Sequence, residues 1–231
     1  MKDISYKQSK NVDLLNTFIS KVYGWMFIAL LITAFTAMFV SGNQSFMQAI
    51  MGNRILFWGL MIGELVVVFV LAGALQKLSP IMTKFLFLLY SILNGITMSF
   101  IFIVYTSTGI ATTFFITAGT FAIMSIYGYV TKSDLTKLGN ILIMALLGVI
   151  IAVIVNFFLK SQTLQYIISI IGIIIFVGLI AYDTQKLKAI GNAEIDDDTK
   201  KKLSIVGALS LYLDFINLFL LLLQFFGGRR N

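Results

Sequence analysis

The nineteen residues ILIMALLGVIIAVIVNFFL, Ile141 to Leu159, carry no charged side chain. As an α-helix rising about 1.5 Å per residue, they reach about 28 Å, close to the thickness of a bilayer's hydrocarbon core. Six further apolar stretches lie on either side: Tyr23 to Val40, Ile55 to Leu75, Phe85 to Val104, Ile110 to Val130, Leu164 to Tyr182 and Leu203 to Phe226. None alternates apolar and polar residues as a membrane β-barrel strand does, and isolated spanning segments must satisfy their own backbone, so each is read as a helix. The expected fold is an all-α integral membrane protein with seven transmembrane helices. Residues 1–22 are expected to be a polar, retained N-terminal tail, since no small-residue cleavage site follows the first apolar run. Residues 23–228 then form a single transmembrane domain.

Composition agrees. With 59% hydrophobic and 12% charged residues and a mean hydropathy of +0.96, a water-soluble domain is excluded. The chain has no cysteine and no histidine. It therefore lacks thiolate metal sites, cysteine nucleophiles, the commonest general base and the usual zinc ligands. Neither enzymatic activity nor a cofactor is expected. The net charge of +7 does not indicate nucleic acid, because the basic residues lie between apolar segments instead of clustering on a folded face. They report topology. With the N-terminus cytoplasmic, the inner side holds thirteen lysines: Lys2, Lys7, Lys10, Lys21, Lys77, Lys84, Lys132, Lys137, Lys186, Lys188, Lys200, Lys201 and Lys202. The outer loops hold only Arg54 and Lys160. Arg229 and Arg230 follow the last span; seven full crossings leave them outside, and a re-entrant last segment would bring them inside. Gly59 and Gly63 form a GxxxG pair on the second span that would permit close approach of a neighbouring helix.

Of ten acidic residues, seven lie in tails or loops, leaving Glu64, Asp183 and Asp214 within or at the end of apolar spans. A charge at the bilayer centre costs about 2.5 to 3.5 kcal/mol on insertion scales, so it faces a partner, a cavity or a pathway. No Lys or Arg lies in any span. These carboxylates must therefore bind protons, reach loop cations such as Lys77 or Lys186, or hold a mobile cation. On the seventh span, Gly207, Ser210, Asp214, Asn217, Leu221 and Gln224 recur at spacings of three and four and share one face. A polar stripe on an otherwise greasy rod is expected to face the bundle interior, which puts the seventh helix at the centre. Ser210, Asn217 and Gln224 either line that interior or act only as interhelical glue.

Asp183 and Asp214 flank the connection between the sixth and seventh spans, and a hairpin centred near Asp198 and Thr199 sets them level. Two carboxylates facing each other at low dielectric share a proton, and a divalent cation can replace that proton as the bridge. Two or three carboxylates are too few for a tight calcium cage, so binding of Ca2+ there would be weak, as permeation requires. Glu64 lies mid-span on the second helix as a third sensing group. Thr113, Thr117 and Thr120 share a face of the fourth span and either line an aqueous path or pack against a neighbour. The run Glu194, Asp196, Asp197 and Asp198 lacks the ligand spacing and glycine of an EF-hand and reads as a solvated turn.

On the motifs VYGWM (Val22 to Met26), IYGY (Ile126 to Tyr129), GLIAYDTQKLK (Gly178 to Lys188) and ALSLYLDFINLF (Ala208 to Phe219), the chain resembles the Bax inhibitor-1 family, in particular its bacterial branch. The resemblance runs nearly end to end. It implies a seven-helix fold with the last helix central, a bacterial inner-membrane location, and a pH-sensitive calcium leak governed by an aspartate pair matching Asp183 and Asp214. It also implies an acid on the second helix, matched by Glu64, and a basic residue near that helix's inner end, where this chain reads Leu75, Gln76 and Lys77. Partners implied are the lipid bilayer, Ca2+, and a membrane protease or other membrane complex that the protein would regulate without transport. A monomer or weak oligomer is expected. An intramembrane aspartyl protease fits less well, because Asp214 sits in LYLDF without flanking glycine and the only proline is Pro80.

Overall fold

The computed structural model describes residues 2–230. Among them every regular element is helical: α1 (Lys2–Ser41), α2 (Gln44–Gly52), α3 (Arg54–Gly73), a 3-10 turn (Leu75–Lys77), α4 (Pro80–Met98), α5 (Ile101–Val104), α6 (Ser107–Val130), α7 (Thr136–Leu159), α8 (Gln162–Asn192) and α9 (Asp197–Phe226). Seven segments are long and apolar enough to cross a membrane, α4 and α5 together making the third. The protein is thus an all-α, multi-pass membrane protein. The last segment is the most enclosed, with 67% of its apolar window buried, against 6% for Arg54–Gly73 and for Thr136–Leu159. Large side chains such as Phe69, Phe115 and Phe157 are left exposed, as a lipid-facing surface requires.

Helix boundaries follow from capping chemistry. Asn53 starts α3 by accepting from the amides of Ile55 and Leu56 at 3.0 and 3.2 Å, and Thr106 starts α6 by accepting from Gly109 at 3.1 Å. Ser79 caps α4, and Pro80 occupies the first helical position, where its missing N–H costs nothing. Lys160 ends α7 in the left-handed conformation, φ 53°. Residues 2–22 are helical and run without a break into the first apolar stretch within α1. One feature departs from the sequence expectation. The third span is broken after Met98, where buried Ser99 turns its hydroxyl onto the Ile96 carbonyl at 2.6 Å and its amide bonds to both Gly95 and Ile96.

By internal packing the chain divides into two compact units, Met1–Val104 with Ala189–Tyr212, and Tyr105–Lys188 with Leu213–Asn231. In the first, α4 packs against both α1 and α3. Gly95 lets the α1 backbone approach: a Cβ there would lie 2.8 Å from the Thr33 carbonyl. The short α2 seals one end through a cluster of Val40, Met47 and Ile50, backed by Phe57, Leu60, Ile96 and Phe100. The GxxxG pair does no such work, since nothing lies within 4 Å of a Cβ built at Gly59 and only the Leu93 side chain reaches Gly63.

In the second unit, the ring of Phe215 on α9 meets Phe114 and Phe121 of α6, each at 5.6 Å. The chain after α9 turns back on the start of α6, where the Thr106 amide donates to the Gly228 carbonyl at 2.9 Å and Tyr105 forms an isolated bridge with Arg229. α9 is continuous over its 30 residues and is long and apolar enough to cross the membrane.

Candidate functional site

The second unit holds the aspartate pair. Asp183 on α8 is half-buried, and Asp214 on α9 is 6% exposed. The two carboxylates are close enough for the charge of Asp183 to act on Asp214, and Lys186, one helical turn beyond Asp183, acts on Asp183 in turn. Asp214 Oδ2 is buried and has no hydrogen-bond partner. A buried carboxylate oxygen in that position is a ready acceptor for a proton or a ligand for a cation. Among the described residues no group of three or more acidic, His or Cys side chains converges to hold a metal.

The segment carrying Asp183 is clamped on both sides. A Cβ at Gly128 of α6 would sit 2.1 Å from the Ala181 carbonyl oxygen, and one at Gly139 of α7 would sit 2.4 Å from the Tyr182 ring. Only glycine allows such approaches. Gln185 bridges the loop between α6 and α7, accepting from the Leu135 amide and donating to the Ser133 carbonyl, both at 2.8 Å. Lys188 donates to the Tyr129 carbonyl at 2.8 Å, with its ammonium 5.1 Å from the centre of the Tyr129 ring.

The other expected lining residues behave less uniformly. On α9, Gly207 is buried, Ser210 and Asn217 are half-buried, and Gln224 is exposed. Asn217 donates to the Leu213 carbonyl of its own helix at 2.8 Å, whereas Gln224 accepts from Ser169 and Gln165 of α8 at 2.7 and 3.2 Å. Because Leu211, Tyr212, Phe215, Leu218 and Leu222 are buried as well, burial does not single out the polar stripe. The helix is enclosed on most sides. Thr113 and Thr117 are fully buried, and Thr113, Thr117 and Thr120 each donate to the carbonyl four residues back at 2.7 to 2.9 Å. Their hydroxyls are thus occupied by their own helix.

Glu64 belongs to the first unit, half-buried on α3. Its carboxylate accepts from the Thr97 hydroxyl and, at a long 3.5 Å, from Asn94 Nδ2, both on α4. Behind Asn94 lies a network that sequence reading missed. Tyr212 of α9, fully buried, donates to Asn94 Oδ1 at 3.0 Å and sits 2.6 Å from Thr33 Oγ1 of α1. Each hydroxyl has one hydrogen, so with Tyr212 donating to Asn94, Thr33 is the donor to Tyr212. Thr33 then shares its hydrogen with the Ser91 carbonyl 2.9 Å away. Four spans meet through these groups. The available signal was Asn94, an amide in the middle of an apolar run.

The sequence profile of the family described as inhibitor of apoptosis-promoting Bax1 matches residues 15–231. The chain belongs to the Bax inhibitor-1 family. It is 53% identical to the inner membrane protein YbhL of Escherichia coli K12 over 94% of this chain and 93% of that one. It is 46% identical to an uncharacterized protein of Borreliella burgdorferi over 97% of each, and 38% identical to an uncharacterized membrane protein of Streptococcus pyogenes over 92% and 93%. Within this member of the family, the IYGY and GLIAYDTQKLK motifs coincide with the helix contact at Gly128 and Ala181 and with the Lys188 bond to Tyr129.

Proposed function

We propose that this Bax inhibitor-1 family protein is a pH-sensitive leak pathway for cations, calcium above all, in the bacterial inner membrane, with the N-terminus cytoplasmic, and that Asp183 and Asp214 form its gate. The observation that carries the reading is the buried Asp214 carboxylate, with one oxygen unpartnered and a second carboxylate within reach of its charge. With a proton shared between them the two groups bridge α8 and α9. When that proton leaves, repulsion acts between the helices until a divalent cation takes its place. Proton and calcium therefore compete, and transient occupancy by two carboxylates is weak enough for the ion to move on. Glu64 is a second protonation site, tied to α4 by Thr97 and Asn94. No enzymatic step is part of this reading.

The test is calcium efflux from liposomes containing the purified protein, compared with Asp214→Asn and Asp183→Asn across roughly pH 5 to 8. The wild type should leak with a pH-dependent rate and the variants with a flat profile. Equal rates for wild type and Asp214→Asn at every pH would end the proposal. A stoichiometric membrane-protein partner on purification, with no flux, would instead make the protein a regulator of that complex.

A further inference from the structure

A second charged site lies in the first unit, at the lysine-rich ends of α1 and α9. There the chain forms a half-open pocket of about 180 Å³. This is below the roughly 300 to 1,000 Å³ of sites built for whole metabolites, and suits a small headgroup. Lys21, Lys200 and Lys201 line it together with one carboxylate, Asp197, and the hydroxyls of Thr17 and Ser204. Two apolar side chains complete the lining, exposed Leu14 and buried Phe18. Three ammonium groups against one carboxylate leave the lining positive, and Lys201 is already paired with exposed Asp198 at 2.9 Å. Lys200 is half-buried and held over the pocket by donating to the Gly191 carbonyl at 2.9 Å. Gly191 in turn packs so closely on Leu15 and Phe18 that a Cβ would lie 2.6 Å from the Leu15 side chain. Lys200 is thus held in place, while Lys21 and Lys201 are exposed beside it.

Position identifies the ligand. Lys21 lies two residues before the apolar run of α1, and Lys201 and Lys200 lie two and three residues before that of α9, so the ammonium groups sit at the edge of the hydrocarbon where lipid phosphates lie. Leu14 and Phe18 precede Lys21 along α1 and lie on its water side, so it is the place of the lysines at the hydrocarbon edge that favours a lipid phosphate over a free one. We propose that this pocket binds the phosphodiester headgroup of an anionic phospholipid. The site uses none of the gate residues, so it stands or falls independently of the leak reading.

Native mass spectrometry of the full-length protein, released from detergent containing phosphatidylglycerol or phosphatidylcholine, reads retention directly. The wild type should retain phosphatidylglycerol selectively. One lysine beside an anionic headgroup is worth roughly a fivefold change in affinity, so Lys21→Gln with Lys200→Gln should lose about 30-fold. Asp197→Asn, which removes the opposing carboxylate, should strengthen retention, a sign that misfolding would not produce. Lys137→Gln, at a lysine that does not line the pocket, should leave it unchanged. Equal retention by the double variant and wild type, or a loss in Lys137→Gln as large as in the double variant, would overturn the assignment. So would displacement of the lipid by inorganic phosphate at concentrations comparable to the lipid's, which would make the site one for a free anion.

Discussion

Removing one oxygen from the middle of the first unit should weaken the whole protein measurably. In Tyr212→Phe the ring remains, with its edge-on contacts to Phe87 and Tyr90 at 6.0 and 5.7 Å, so no cavity of consequence opens. Two hydrogen bonds are lost, to Asn94 and from Thr33. Interhelical hydrogen bonds in membrane proteins average about 0.6 kcal/mol and reach about 1.7. Thr33 keeps an acceptor in the Ser91 carbonyl, so no donor is orphaned. Asn94 Oδ1, on a residue 8% exposed, is left without its donor, which adds a penalty of about 1 to 3 kcal/mol for an unsatisfied buried acceptor. The expected loss is about 2 kcal/mol in reversible unfolding in mixed micelles. Asn94→Leu removes the orphan, so in the double variant the second substitution should cost about 1 kcal/mol less than it does alone. The cycle isolates the pair, because each single change removes the same bond. Additivity within about 0.3 kcal/mol would refute the network, and with it the account of how Asn94 is aimed at Glu64.

Two further outcomes are expected. Gly128→Ala should destabilise by about 1 to 3 kcal/mol, because its Cβ meets the Ala181 carbonyl. Gly119→Ala on the same helix, where nothing lies within 4 Å, should be neutral or stabilising by up to about 1 kcal/mol through helix propensity; thermal unfolding of the two should therefore move in opposite directions. Asp196, outside the spans, is held below the ordinary carboxylate range by its hydrogen bonds to the Thr199 hydroxyl and amide. Its contribution to stability is present above the unfolded-state value and is lost as pH falls through the lowered folded value. In an NMR titration, Thr199→Ala should move Asp196 back toward the ordinary range, and an unmoved Asp196 would contradict the cap.

The sequence by itself determined the fold class and the short list of acids, since both rest on counting. Nineteen uncharged residues in Ile141 to Leu159 leave a helix no solvent but lipid, and an acid such as Asp214 in Leu203 to Phe226 stands out because nothing near it in the chain neutralises it. Helical period puts the α9 polar residues on one face of the helix. It did not decide where polar groups would find partners. The hydroxyls of Thr113 and Thr117 turned to their own helix, Gly59 met no neighbour, and Tyr212, one aromatic among the many apolar residues of its span, became the meeting point of α1, α4 and α9. Those outcomes belong to the tertiary structure. In hydrocarbon each polar atom takes whichever donor or acceptor lies within about 3 Å, and residues 58 to 179 positions apart reach that distance only after the helices have packed.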